Sequence, residues 1–551
     1  MKIDPKIAHA PVEFGSTHQG SKVSASRQAI GRLLVLLLIS AVAAFYLHAN
    51  IHAVMQRDGA HFVFMANNIA HGEPPYWASF ETKNPLVEIF WSPFIRLFAS
   101  AFGIVESTRI AEAFWMAVTA FLIFLVVAWP SRDTRLPRRN PLPNAIAALP
   151  ALAFSMLYLV LVLDVRVTDD GLNIALYQSL PELALLALLL RVPTKQWFAH
   201  GFLIGVFVFL AWFVKQTSLV PVALVVVSWL AIMRSRLGFS WVIGGCAGAL
   251  ICLGGFALHL MLTQTFHNYL LGTVLFRAGL SPVLLSQFVE NLKESYLVPL
   301  WSLNLAGFLS AHRVWTAIAM VILTPLAAAR VYNTRAEGWS TRRVALVLAV
   351  FWMIGAWLQA VLALTFFPHY FLASLAPVAV VAGLLVSMSG KRTIVASSGV
   401  AFLIVAGLIH SYVGMRAVND LKSATAPINR STAEVMRFIK PADKVFNWSA
   451  LPHVLVAQGA PSAYSMNMCW PYILASLPEA TRTQMLEQTL QVPPDVVVSM
   501  DEQSPPDQGL RNYPMTEARL KELTGRNYML VHTTAAIPGR YGSPVSVFRL
   551  Q

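Results

Sequence analysis

Cysteine and charge are both scarce in this chain, and each scarcity narrows what it can be. Three cysteines stand among 551 residues: Cys246 and Cys252 share one apolar run, and Cys469 is alone in the C-terminal region. That excludes a disulfide framework and a CxxC metal site. Only 12% of residues are charged while 56% are hydrophobic, and the mean hydropathy of +0.59 exceeds what a soluble core requires. Acids are the scarcer sign, 27 Asp and Glu against 41 Lys and Arg, for a net charge of +14. No basic stripe with interleaved aromatics accompanies the excess, so nucleic acid is not an expected partner. The cations fall mostly in short segments between apolar runs, as membrane topology requires. No internal repeat is visible, which argues against a secondary transporter built from two related halves.

What the chain does have is a series of apolar runs of about 17 to 25 residues, each long enough to cross a bilayer core. Eleven spans are expected, at 33–49, 110–129, 144–163, 173–190, 198–214, 217–233, 240–262, 314–329, 344–364, 370–388 and 394–413. Residues 1–32 are polar, and no small-residue cleavage site follows the first run, so an uncleaved first helix behind a cytoplasmic tail is expected. With the N-terminus inside, the inner segments hold 19 Lys and Arg and the outer loops before residue 414 hold 9. The positive-inside rule thus places the C-terminal region outside. The apolar stretch 296–310 would invert this order if it spanned, and is read as interfacial or re-entrant.

Beyond residue 413 the hydropathy collapses. β-rich runs at 444–448, 495–500, 528–533 and 545–550, with helical patterns near 431–439 and 472–490, predict a small α/β domain over 414–551. The expected fold class is therefore an all-α polytopic membrane module over 33–413 with a C-terminal periplasmic α/β domain. Two of its outer loops, 50–109 and 263–313, are long enough to build a site.

The first outer loop carries the most informative residues: Arg57-Asp58-Gly59, then Gly72-Glu73-Pro74-Pro75-Tyr76, then Glu81-Thr82-Lys83-Asn84-Pro85. Between Asp58 and His71 the apolar residues Phe62, Met65 and Ile69 recur at helical spacing, predicting a helix on the membrane surface with its apolar face down. Asp58 is then either a catalytic carboxylate at the lipid boundary or a cap on that helix. Four histidines, His48, His52, His61 and His71, lie nearby, but no carboxylate completes a ligand set; no cofactor is expected, and a divalent metal is unsupported. Glu182, inside an apolar run, is expected to bond within the bundle. Lys215, between two apolar runs, either serves a site or snorkels to the headgroups.

These motifs resemble the first periplasmic loop of bacterial GT-C membrane glycosyltransferases, in the branch related to protein O-mannosyltransferases and the aminoarabinose transferase of lipid A. Gly205 through Lys215-Gln216-Thr217, and Phe367-Pro368-His369-Tyr370-Phe371, extend the resemblance in order along the first 370 residues or so. The resemblance implies a GT-C fold of about eleven transmembrane helices in the bacterial inner membrane. It also implies transfer of a sugar from a polyprenyl-phosphate donor to a lipid A, lipopolysaccharide, other glycan or protein acceptor on the periplasmic face. Asp58 would be the base that takes the acceptor's proton, with Asp169 or Asp170 the matching second acid. Lys83 and Arg277 would hold the carrier phosphate, with Lys215 a further cation and Tyr76, Glu81 and His369 also in the substrate site. The sequence departs from the pattern at Gly59, where relatives carry an acid, at Glu81, where Asp is usual, and at Asn84, where Pro is common. Those departures give a non-catalytic envelope protein of the same fold some weight as an alternative.

Overall fold

The computed structural model describes residues 22–52, 55, 57–79, 83–128, 142–164, 168, 172–191, 196–233, 238–275, 312–335, 339–362, 368–389, 397–401, 404, 427–449, 451–465, 467, 479–500, 515–536 and 544–551. Helix dominates. The first half contains α1 (Lys22–Asn50), α2 (Arg57–Ala70), α3 (Leu86–Phe102), α4 (Ile104–Ala128), α5 (Leu142–Leu163), α6 (Ile174–Tyr177), α7 (Ser179–Leu189), α8 (Trp197–Val214), α9 (Leu219–Met233), α10 (Phe239–Leu262) and α11 (Phe266–Tyr269). Then come α12 (His312–Asn333), α13 (Thr341–Leu362), a 3-10 segment Pro368–Ser374 and α14 (Leu375–Ser387).

Among the described residues, eight helices are long and apolar enough to cross a membrane, and two shorter apolar ones cover Ala148–Leu163 and Ile174–Leu189. Together they account for ten of the eleven expected spans; most of 394–413, and all of 296–310, lies outside the described residues. Large apolar side chains face outward, Phe239 at 78% and Leu262 at 76% exposed. Water would penalise such a surface, whereas lipid chains match it. The protein is a multi-pass membrane protein.

Two expected spans are interrupted. The run at 173–190 breaks between α6 and α7 at Gln178, and the run at 370–388 begins as a 3-10 helix. Each break frees backbone groups, which an apolar medium leaves unsatisfied unless protein supplies partners. Asn173 caps α6 by accepting from the Ala175 N–H at 3.0 Å. Between α8 and α9, Lys215 is extended (φ −158°, ψ 132°) before a 3-10 turn, Gln216–Ser218.

α8 and α10 meet backbone to backbone. A Cβ on Gly205 would lie 2.0 Å from the Gly245 carbonyl oxygen, and one on Gly244 would lie 2.2 Å from that of Phe198. Small residues let helices approach this closely where no hydrophobic effect drives them together.

The C-terminal part holds α15 (Pro427–Met436), β1 (Val445–Trp448), α16 (His453–Gln458), α17 (Glu479–Thr489), β2 (Val496–Met500), α18 (Glu517–Thr524), β3 (Tyr528–Thr533) and β4 (Val545–Leu550). The four strands fall where the sequence predicts them. Their order is β1-β2-β4-β3, with β1 and β2 parallel and β4 antiparallel to both neighbours. β1 and β2 are buried throughout.

Candidate functional site

α2 was expected on the membrane surface with one face to lipid; instead both faces are covered, and Asn67, Asn68 and His61 are among its buried residues. The polar face meets the C-terminal unit. Asn67 Nδ2 donates to the Gly459 carbonyl at 3.2 Å, and the Ser462 N–H donates to Asn68 Oδ1 at 2.6 Å. At the carboxyl end of the helix, Arg96 donates to the Ala70 and Ile69 carbonyls at 2.5 and 3.2 Å.

Asp58 lies in the first turn of α2, half-buried, one residue inside the helix rather than before it. It therefore favours the positive helix end without being the N-cap. Phe62, one turn further on, shares its face of the helix. The Lys83 ammonium is 4.4 Å from the centre of the Phe62 ring, a cation–π contact one helical turn from Asp58. Tyr76 completes this group: its hydroxyl donates to the Lys83 carbonyl at 2.7 Å, with a left-handed backbone (φ 66°). Asn268 Nδ2 donates to the Tyr76 carbonyl at 3.0 Å, and the Tyr269 ring packs edge-on at 5.3 Å. The start of the second long loop is thus fastened to the first.

A second group forms at the break after α8. Lys215 is 5% exposed, and its ammonium lies 4.0 Å from the centre of the Tyr370 ring. His369 packs on the same ring, edge-on at 4.6 Å. The side chain is thus buried within the protein.

Asn84 joins the two groups. Buried, and directly after Lys83, it donates from Nδ2 to the Trp212 carbonyl at 2.7 Å, in the last turn of α8 three residues before Lys215. A proline, usual at this position in the resembled family, has no such donor. Asp169, Asp170, Glu81 and Arg277 lie outside the described residues. The chain that follows Asp170-Gly171 is nevertheless well fixed: Glu112 Oε1 accepts the Leu172 N–H at 2.6 Å, and Glu112 Oε2 pairs with Arg109 Nη1 at 3.3 Å. α6 packs on the 3-10 segment that carries His369 and Tyr370. Its last residue, Tyr177, accepts from the Trp91 indole N–H at 2.9 Å.

Glu182 bonds within the bundle as expected, accepting from the Trp352 indole N–H at 2.7 Å. Two buried acids that sequence reasoning passed over, Glu88 and Glu112, are 0% and 5% exposed. Like Glu182, each stands in an apolar helix, and that signal was available for both. Among the described residues no group of three metal-ligating side chains occurs.

No protein-family model matches the sequence, and no curated protein matches it either. Solved structures do match in three dimensions, two of them being of one protein. ArnT from Cupriavidus metallidurans bound to undecaprenyl phosphate has a TM-score of 0.53 at 12% sequence identity, covering 95% of this chain and 98% of that one. The same protein in the apo state gives 0.51 at 12% identity, with the same coverage. Nearly end-to-end coverage at so low an identity is agreement of architecture, and it includes both the helical part and the small sheet. This chain has the GT-C fold of ArnT.

Proposed function

We propose that this protein is a membrane glycosyltransferase that moves a sugar from a polyprenyl-phosphate carrier to an envelope acceptor on the periplasmic face of the bacterial inner membrane. The observation that supports the reading is the Asn84–Trp212 hydrogen bond, which ties the segment of Lys83, itself on the Phe62 ring one helical turn from Asp58, to the end of α8 three residues before Lys215. Cations at one boundary site suit a phosphate monoester or diester, and the ArnT of matching fold was crystallised with undecaprenyl phosphate.

In this reading the acceptor hydroxyl oxygen attacks the anomeric carbon as the bond to the carrier phosphate breaks. The bonding electrons leave with the phosphate, and Asp58 takes the hydroxyl proton. Lys83 and Lys215, with Arg277 from the second long loop, stabilise the departing anion. The aromatic faces under both lysines help to hold each ammonium in place. Asp169 or Asp170 supplies the second acid, while Tyr76, Glu81 and His369 line the substrate site. The N-terminal tail, 1–32, is cytoplasmic in this arrangement and the domain over 414–551 periplasmic, as the cation asymmetry requires.

Carrier-lipid affinity and single-turnover transfer in nanodiscs test the proposal. Asp58→Asn should abolish transfer while carrier binding stays unchanged or tightens, because an anion near an anionic ligand is removed. Lys83→Ala, Lys215→Ala and Arg277→Ala should each weaken carrier binding about tenfold to a hundredfold. Unchanged affinity in all three would place the phosphate elsewhere, and substantial turnover in Asp58→Asn would dismiss it as the base.

A further inference from the structure

We infer that His453, at the start of α16 in the C-terminal unit, is a positioning residue for Asp58. The inference rests on the reading of Asp58 as the proton acceptor. His453 is 6% exposed, and its Nε2 donates to the Met55 carbonyl at 3.0 Å, across 398 residues of sequence. Met55 precedes Asp58 by three residues, on the approach to the first turn of α2. The far end of the helix is held independently, by Asn67 and Asn68 against Gly459 and Ser462 and by Arg96 on Ala70 and Ile69.

With the carboxyl end of α2 fixed by four hydrogen bonds from two directions, a contact at the amino end bears directly on where the Asp58 carboxylate points. His453 makes such a contact from the C-terminal unit. Its chemistry suits a fixed strut. Burial, together with the Arg57 charge beside it, lowers the imidazole pKa to about 4, against the raising effect of the Met55 bond. The ring is therefore neutral at ordinary pH, with Nε2 carrying the proton that the carbonyl accepts. Proton transfer tolerates little displacement: an error of about 1 Å can cost on the order of a hundredfold in rate. Carrier binding depends on Lys83 and Lys215, which are held by Phe62, Asn84 and Tyr370 and not by this contact.

The prediction is a separation of rate from affinity, measured in nanodiscs on the full chain. His453→Leu keeps the bulk and removes the donor; its kcat should fall about tenfold to a hundredfold, with carrier affinity unchanged within about twofold. His453→Gln restores a neutral N–H donor of similar reach and should recover most of the rate. In an Asp58→Asn background, His453→Leu should cause no further loss of residual turnover, because the group it positions is gone. A wild-type kcat in His453→Leu overturns the inference while leaving the Asp58 reading intact, whereas full turnover in Asp58→Asn overturns both. Should the leucine variant not accumulate in membranes, His453→Gln and His453→Asn make the same test. The shorter amide reaches Met55 only if α2 shifts, so a lower kcat for Asn at equal carrier affinity supports the inference and equal kcat for the two overturns it.

Discussion

α4 and α10 are of nearly equal length and similarly apolar, yet 67% of the most apolar stretch of α4 is buried against 17% of that of α10. The difference is written in a few polar side chains. α4 carries Ser107, Thr108, Arg109, Glu112 and Thr119, all buried, and packs against α1, α3, α5, α7 and α14. α10 has no Asp, Glu, Lys or Arg and one histidine, His259, in its last turn; it packs on α8 through glycines and turns Leu250, Ile251 and Leu253 outward. In lipid, apolar surface gains nothing by being covered, so hydropathy finds the spans but says little about their faces. Polar groups and glycines say more: the first need partners, the second permit contact.

The comparison can be broken most decisively at its glycine seam. Gly205→Val puts branched carbons into the Gly245 backbone, where neither side can yield, and should prevent recovery of a monodisperse protein. Gly254→Val on the same α10 meets nothing within 4 Å and should leave yield and melting temperature unchanged. Size-exclusion profiles of the two variants side by side make the measurement.

In the interior of the comparison, Glu112→Leu strands the Arg109 guanidinium and removes the acceptor for the Leu172 N–H. A loss of about 3–5 kcal/mol is expected, read as a lowered unfolding midpoint in detergent. Pairing it with Arg109→Met should restore part of that stability, because the orphaned charge goes too. A double variant no better than Glu112→Leu alone would mean that the backbone bond to Leu172, rather than the charge, dominates.

The same rule operates outside the lipid, where the C-terminal unit meets α2. His453 has a folded pKa of about 4, below the usual histidine value of 6.5. Its stabilising effect is thus complete above about pH 6.5 and is lost as pH falls toward 4, since only the unfolded ring gains a proton in that window. The total is on the order of 3 kcal/mol. Protease sensitivity of the C-terminal unit should rise between pH 6.5 and 4 in the wild type, and His453→Gln should flatten that dependence. The smallest effect belongs to the lipid-facing surface: Leu250→Ala, at a position 64% exposed, should change stability by less than about 0.5 kcal/mol.

How much of this was legible beforehand follows from the range of each interaction. Spans and strands come from local periodicity, and ten of the eleven expected spans and all four strands coincide with described elements. The break at Gln178 escaped because α6 and α7 read as one apolar run and only Asn173 hints at a separate start. The covering of α2 escaped for another reason: Asn67 and Asn68 look like a solvated face until their partners, near residue 460, are brought to them by the fold. Among the candidate site residues, Lys83 and Tyr76 are near one another in sequence and bonded in space, and Lys83 reaches Phe62, one turn from Asp58. The tie from this segment to the end of α8, next to Lys215, runs through Asn84, which the sequence marks only as a departure from a proline.

The sheet order carries a consequence for how such a protein is made. β4, latest of the four strands in the chain, lies between β2 and β3 and pairs with both. A ribosome has therefore delivered β1, α16, β2 and β3 before the strand that joins them exists. Until it arrives, β3 has no partner among the four, and the unit that presses His453 against Met55 is incomplete. Completion of the C-terminal unit is accordingly a late event, and a chain interrupted before Val545 would hold its membrane helices while the contact of His453 with Met55 had no finished sheet behind it.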